Sequence, residues 1–240
     1  MGRNMVLGDC HGNVRALQQC LDRCSFDFNK DTLTVIGDIC DGYPHTRECI
    51  DILISIKNCR FILGNHDQWL LNWIYSDYTN MPPIWTSQGG MATINQYTNN
   101  NFTYKVPNEH IYFLTCAKLY DIISTSDGDM VFVHGGIDPN QKDIKKQSRN
   151  TLLWDRDLVQ SAWIKNQRNK EYKYADKYKI FVGHTTTECY NSTEPLFLCN
   201  VVMVDTGAGW GGKLTIMDVD SLEYWQSDSA RVLYPNYGAR

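Results

Sequence analysis

The sequence predicts an α/β fold built on buried parallel strands. Three observations carry that expectation. Short runs of β-branched and aromatic residues recur, apolar at consecutive rather than alternate positions, as in strands covered on both faces. Helical patterns separate the first three runs. Each run leads, directly or through one glycine, to Asp, Asn or His.

The first run, Met5-Val6-Leu7-Gly8, leads to Asp9. After Asn13, whose side chain suits a helix N-cap, Val14, Leu17, Leu21 and Cys24 recur at helical spacing. Leu33-Thr34-Val35-Ile36-Gly37 leads to Asp38, and Cys49, Ile50, Leu53, Ile54 and Ile56 make a second apolar stripe. Arg60-Phe61-Ile62-Leu63-Gly64 leads to Asn65. Residues 5–65 therefore read as β-α-β-α-β, with strand ends gathered on one sheet edge, where α/β proteins bind ligands. Residues 67–118 change character: Trp69, Trp73, Trp85, Tyr75, Tyr78, Tyr97, Tyr104 and Tyr112 appear with few strand signals. They read as a helical excursion that packs on the sheet, its aromatics serving mainly as packing. Residues 119–134 read as two strands around Asp127-Gly128. Val131-Phe132-Val133 leads to His134, and Ile180-Phe181-Val182-Gly183 to His184. Residues 196–225 read as strands and hairpins around the glycine-rich segment 207–212. No linker or repeat divides the chain, so residues 1–240 read as a single domain.

Composition narrows the class. A chain of 240 residues with a net charge of -4 buries a core without staples. No apolar run reaches the ~18 residues of a membrane helix, and the N-terminus does not resemble a signal peptide, so no membrane partner is expected. Nine cysteines occur without a C-x-x-C pair, which argues against a thiolate zinc site and for a reducing, cytoplasmic setting. From Lys142 to Lys179, eleven Lys/Arg face five Asp/Glu. This surplus reads as a solvated helix face near 156–170; the alternative is a rim that steers an anionic substrate. No specific nucleic-acid binding is expected.

The polar residues that end the runs form a set. Asp9 and His11 lie in Gly8-Asp9-Cys10-His11-Gly12, and Asp38 and Asp41 in Gly37-Asp38-Ile39-Cys40-Asp41. Asn65 and His66 lie in Gly64-Asn65-His66-Asp67. His134 heads His134-Gly135-Gly136, and His184 precedes Thr185. Carboxylate, imidazole and amide oxygen together suit divalent ions such as Mn, Fe, Zn or Mg. Asp9 and His11, two apart on a strand end, point to one side. Five such groups in this order would leave many polar atoms at a sheet edge without partners unless something binds there.

This set resembles the metallophosphoesterase superfamily, and within it the phosphoprotein phosphatases of the bacterial and phage type. The family pattern is Gly-Asp-x-His-Gly, Gly-Asp-x-x-Asp-Arg-Gly, Gly-Asn-His-Glu, His-Gly/Ala-Gly and a later Gly-His. Trp85 with Gly89-Gly90 and Thr93, then Leu153-Trp154-Asp155-Arg156, then Asp205-Thr206-Gly207 extend the likeness to about Asp218. The resemblance implies a calcineurin-like fold, a four-layer αββα sandwich. It implies a binuclear centre with Asp9 and His11 on one ion, Asn65, His134 and His184 on the other, and Asp38 bridging. Two divalent ions against two carboxylates leave about +2, suited to a phosphate dianion. The implied reaction is attack of metal-bound hydroxide on phosphorus, with no phosphoenzyme. His66 is the implied general acid, Asp41 its orienting carboxylate, and Asn65 and Arg156 the substrate-phosphate contacts.

The departures matter too. Asp41-Gly42-Tyr43 stands where the family has Asp-Arg-Gly, so one phosphate arginine is missing; Arg47, close in sequence but about one helical turn later, is only a speculative replacement for it. Asp67 replaces the family Glu. His11 stands where dinucleoside tetraphosphatases commonly carry Gln, which favours a protein-phosphatase-like enzyme. The expected substrate is a phosphoprotein or small phosphoester, with two divalent ions, manganese first, as cofactors. The alternatives are hydrolysis of a dinucleoside polyphosphate or another nucleotide or RNA phosphoester, or a weakly catalytic metal-binding scaffold. His45 reads as a helix-start residue, His110 as surface or packing, and Cys10 and Cys40 as small packing residues.

Overall fold

The computed structural model describes residues 2–99, 101 and 103–238. The chain opens with β1 (Asn4–Leu7), α1 (Val14–Arg23), β2 (Thr32–Val35), α2 (Thr46–Ser55) and β3 (Asn58–Phe61). Then come α3 (Asn65–Tyr75), α4 (Pro83–Trp85), α5 (Met91–Gln96) and α6 (Asn108–Thr115). Hairpin β4 (Tyr120–Thr125) and β5 (Gly128–Val133) precedes α7 (Arg149–Trp154), α8 (Asp157–Asn166) and β6 (Lys179–Val182). The chain ends with β7 (Leu196–Leu198), β8 (Val201–Met203), β9 (Thr215–Asp218), β10 (Tyr224–Gln226) and α9 (Ala230–Leu233).

The β-α-β-α-β reading of 5–65 holds. β1 pairs in parallel with β2 from Asn4↔Thr32 to Leu7↔Val35, and β2 with β3 from Thr32↔Asn58. Asn13 caps α1, its side chain accepting the Ala16 N–H at 2.9 Å. Val14, Ala16, Leu17, Cys20 and Leu21 are the buried stripe of that helix. On α2, Cys49, Ile50 and Leu53 are buried, whereas Ile54 faces solvent. β3 is an edge strand with only Phe61 buried; the apolar run continues past it into Ile62 and Leu63. The excursion 67–118 is helical, and Trp73, Trp85 and Tyr97 are buried within it.

The expected convergence on one sheet edge is corrected. There are two five-stranded sheets, ordered β10-β9-β1-β2-β3 and β4-β5-β6-β8-β7. β9 occupies the free side of β1, pairing antiparallel at Met5↔Asp218, so the histidine-bearing strands β5 and β6 build a sheet of their own. Val6, Ile36, Ile62 and Met217 from one sheet meet Met130, Phe132, Phe181 and Val202 from the other. Phe132 and Phe181 stack at 4.9 Å in this layer. Alternate residues face outward: Met5, Leu7, Leu33 and Val35 pack under α1 and α2, and Val131, Val133, Ile180 and Val182 under α7 and α8. That produces the αββα order and explains why each run is apolar at consecutive positions. Phe132→Ala or Phe181→Ala costs about 3–5 kcal/mol at such a position.

Candidate metal centre and active site

The site lies where the strand ends of both sheets meet. Its loops are tied to each other before any ligand is considered. Cys10 and His11 donate backbone N–H to the Asp38 carbonyl at 3.0 and 2.9 Å, and Gly12 to Ile39 at 2.8 Å. The Asp67 carboxylate, buried, accepts backbone N–H from Asp38 at 2.7 Å, Gly64 at 2.9 Å and Ile39 at 3.1 Å. Burial raises its pKa to about 6, with Asp38 adding to the shift. So the Asp that replaces the family Glu clamps the second loop onto the third. A side chain at Gly64 would fall on Asp38 Oδ1, and one at Gly183 on Asp9 Oδ1. His11, Asp38, Asp41 and His184 hold φ of 51°, 50°, 73° and 60°. Left-handed backbone at non-glycine residues is unfavourable and clusters at functional sites.

Asp38 is shared by the two candidate ligand groups. Its Oδ2 lies 3.7 Å from His11 Nε2 and 3.4 Å from His134 Nε2, and its Oδ1 accepts the His66 N–H at 2.9 Å. Both imidazoles are held from behind: His11 Nδ1 bonds the Cys40 carbonyl at 3.0 Å, and His134 Nδ1 the Ile36 carbonyl at 2.7 Å. That backbone bond fixes the tautomer and turns Nε2 toward the cavity, as ligand histidines require. Asn65 Oδ1 lies 2.9 Å from His134 Nε2, and the His134 and His184 rings are 5.1 Å apart. Two groups of ligand atoms result, Asp9-His11-Asp38 and Asp38-His134-His184, each within 4.8 Å.

The electrostatics fit divalent ions. Asp9 Oδ2 accepts the His184 N–H at 2.9 Å, but Oδ1 is buried without a partner among the described residues. Burial, with the Asp205 charge beside it, pushes the Asp9 carboxyl well up. Burial would raise Asp38 too, yet His134 and His66 hold it well below the carboxylate range. Burial lowers His134, but the Asp38 charge outweighs it and lifts the imidazole to about 10. His184 is driven down by burial and by the His134 and Arg156 charges. A buried carboxylate oxygen without a donor is costly. Cations between these carboxylates and imidazoles would remove that cost.

His66 heads α3 beside this set. Its Nδ1 donates to Asp41 Oδ2 at 2.6 Å, and its ring meets His11 and Trp69 edge-on at 5.1 and 4.9 Å. Asp41 receives two further donors that the sequence reading assigned no role: Trp85 Nε1 on Oδ2 at 2.7 Å and Thr93 Oγ1 on Oδ1 at 2.8 Å. The signal available was the family-like spacing of Trp85, Gly89-Gly90 and Thr93.

Arg156 stands on the other side, at the start of α8. Its Nη1 donates to the His184 carbonyl and to Thr185 Oγ1, both at 3.0 Å. An open cleft of about 670 Å³ adjoins it, lined by Gln160, Thr185, Glu188, Tyr190 and Trp210 among others. Arg47 is not in this group. Its guanidinium bonds the Gln96 carbonyl at 3.3 Å and lies over the Tyr97 ring. His45 precedes α2 and pairs with Glu48 at 3.1 Å. His110 is buried between Tyr97 and Asp51, a packing residue rather than a surface one. Cys10 and Cys40 are buried, and all nine cysteines are free thiols.

The calcineurin-like phosphoesterase family matches residues 3–210, and the chain belongs to that family. It is therefore a metallophosphoesterase, a hydrolase that works with divalent metal ions. It is 26% identical over 214 residues to a serine/threonine-protein phosphatase 1 of Salmonella typhimurium, covering 88% of this chain and 89% of that protein. It is 24% identical over 237 residues to an asymmetrical bis(5'-nucleosyl)-tetraphosphatase of Bacillus cereus, covering 91% of each. A candidate diadenosine tetraphosphatase of known structure shares the fold at a TM-score of 0.66, with 17% identity over 94% of this chain and 92% of that one. A serine/threonine phosphatase from Saccharomyces cerevisiae does so at 0.56, with 14% identity over 95% and 80%. No helix among the described residues is long and apolar enough to cross a membrane.

Proposed function

We propose that this metallophosphoesterase hydrolyses phosphomonoesters, with phosphoserine and phosphothreonine in proteins as its substrate class. The observation that carries the reading is the His66–Asp41 pair set beside two ligand groups that share Asp38. A scaffold that only binds metal has no use for a buried imidazole held by a carboxylate. Asp9 and His11 would hold one ion, Asn65, His134 and His184 the other, and Asp38 both. The bound pair of ions supplies positive charge for the phosphoryl oxygens and acidifies water. Manganese is the first candidate for an oxygen- and nitrogen-rich set of this kind.

The chain's own residues do the rest. Arg156 binds phosphoryl oxygens with the part of its guanidinium that Thr185 and His184 leave facing the cleft. Asn65 orients the same group from the α3 side. Asp41 keeps His66 Nδ1 as the held donor, so Nε2 delivers a proton to the departing alkoxide oxygen. An alkoxide is a poor leaving group, and this proton is worth about 10²–10⁴ in rate. Free thiols throughout suit a reducing cytoplasm.

A second reading has its own support. Tyr190 and Trp210 line the cleft next to Arg156, and flat aromatic walls suit a nucleobase. The Bacillus cereus relative acts, by its name, on dinucleoside tetraphosphates. The test is manganese-reconstituted enzyme on 4-nitrophenyl phosphate, phosphoserine peptides and diadenosine tetraphosphate, compared by kcat/KM. Preference for the phosphopeptide is expected. Preference for the dinucleotide overturns the substrate class. Silence with manganese, magnesium, iron and zinc overturns the whole proposal.

A further inference from the structure

The aromatic-rich excursion holds one group that packing does not explain. The Trp85 indole is fully buried, and its Nε1–H ends on Asp41 Oδ2, the same oxygen that takes His66 Nδ1–H. Thr93 completes the arrangement from α5. Its hydroxyl donates to Asp41 Oδ1 at 2.8 Å and accepts the Asp41 N–H at 2.9 Å, with Thr46 Oγ1 3.2 Å behind it. Asp41 itself is fully buried with φ 73°, a conformation that asks for outside support. Its carboxylate thus takes three donors, from α3, α4 and α5, and rotation about either side-chain torsion would break at least one.

The excursion is shaped to deliver these two donors. Gly42 N–H donates to the Gly89 carbonyl at 3.1 Å, pinning the turn to the loop that carries Asp41. Gly89 has φ 95°, and the Trp85 ring lies against bare Gly90, where a Cβ would sit 2.7 Å from Nε1. On its far side Trp85 meets Trp73, with ring centres 6.0 Å apart. The indole is therefore boxed in, with its single polar atom directed at the carboxylate.

We propose that Trp85 and Thr93 are positioning residues for proton delivery: they hold Asp41 so that His66 presents Nε2 to the leaving oxygen. The inference rests on His66 acting as the acid. Trp85→Phe keeps an aromatic ring but removes the N–H together with the pyrrole half of the indole; Thr93→Val removes the hydroxyl and Thr93→Ser restores it; Gly90→Ala pushes the indole without changing it. Each is loaded with manganese and assayed on 4-nitrophenyl phosphate, whose leaving group needs little protonation, and on a phosphoserine peptide, whose leaving group needs it. His66→Asn serves as the reference, and metal content and melting temperature are measured alongside.

Trp85→Phe and Gly90→Ala are expected to lose about tenfold more kcat on the peptide than on the aryl ester, a fraction of the full acid effect. Metal content should match wild type, and Thr93→Ser should recover most of what Thr93→Val loses. Equal losses on both substrates, tracking a lowered melting temperature, would make Trp85 a packing residue and overturn the inference. If His66→Asn itself discriminates and Trp85→Phe does not, the inference alone fails. If His66→Asn loses equally on both, the acid assignment and this inference fall together.

Discussion

On the His66 side of the site, both carboxylate oxygens and the N–H of Asp41 are engaged and the carboxylate is fully buried, with Trp69 against His66 and Trp73 against Trp85. On the Arg156 side, one exposed guanidinium is anchored through a single nitrogen beside an open cleft. In the proposed reaction the first flank would handle the proton, where a small error of position is costly. In the same proposal the second would meet the substrate phosphate, and the open cleft leaves room for several partners. The missing arginine sharpens the contrast. Gly42 occupies its place with φ 87°, in a loop whose neighbour Asp41 is also left-handed, so a bulky side chain there would be strained. The chemistry of the site is rigidly built, whereas its substrate contacts are sparse.

The comparison can be broken where the two flanks join. Asp38→Asn removes the shared carboxylate, and activity should fall on the order of 10³ or more, the scale of losing an electrostatic stabiliser at a reacting centre. Bound manganese, measured by mass spectrometry, should drop with it. Retention of both ions would show that Asp38 does not bridge. On the sealed flank, His66→Asn should cost about 10²–10⁴ in kcat on alkyl phosphates and far less on 4-nitrophenyl phosphate.

On the open flank, Arg156→Ala should weaken kcat/KM by roughly 10–100-fold, the equivalent of about 1.5–3 kcal/mol for a charged hydrogen bond. The loss should be the same for good and poor leaving groups, unlike that of His66. A leaving-group-dependent loss at Arg156 would erase the distinction between the flanks. Arg156→Lys should restore the charge but little of the affinity, because an ammonium lacks the planar fork.

The smallest effect is a control remote from both. Asp31, buried just before β2, accepts Arg3 N–H at 2.8 Å and Arg3 Nη2 at 2.6 Å. Burial alone would raise its carboxyl, but the Arg3 bonds outweigh that and hold it below its ordinary range. A depressed folded pKa means stability present above the unfolded value and lost as pH falls through the folded one. Asp31→Asn should therefore lower the melting temperature by about 2–4 °C near pH 7, for ~1 kcal/mol lost. The gap should close as pH drops below about 4, and neither kinetic flank should change. A gap that widens in acid would contradict the assigned shift.

Much of the site was legible because its parts are local. Asp9 with His11, Asn65 with His66, and the glycines beside them lie within a few residues, in the turn after β1 and the first turn of α3. His134 and His184 follow the same pattern one by one. The strand and helix periods of 5–65 were legible for a similar reason, since burial on both faces forces consecutive apolar residues. The edge position of β3 and the outward turn of Ile54 were not, because which face a neighbour covers is set by the rest of the chain.

Taken by itself, the sequence determined the ligand types, their order, the alternation of strand and helix, and the departure at Gly42. The family resemblance already implied two sheets; only the tertiary structure decided which strands build each and how their ends bring the candidate ligands together. That followed from β9 taking the free side of β1. Tertiary structure also decided that Asp67 clamps backbone rather than meets substrate, and that Arg47 turns away to Gln96 and Tyr97. And it decided that Trp85 and Thr93, 44 and 52 residues beyond Asp41, end on its carboxylate. Hydrogen bonds across such separations depend on how whole helices pack, and no local spacing encodes that.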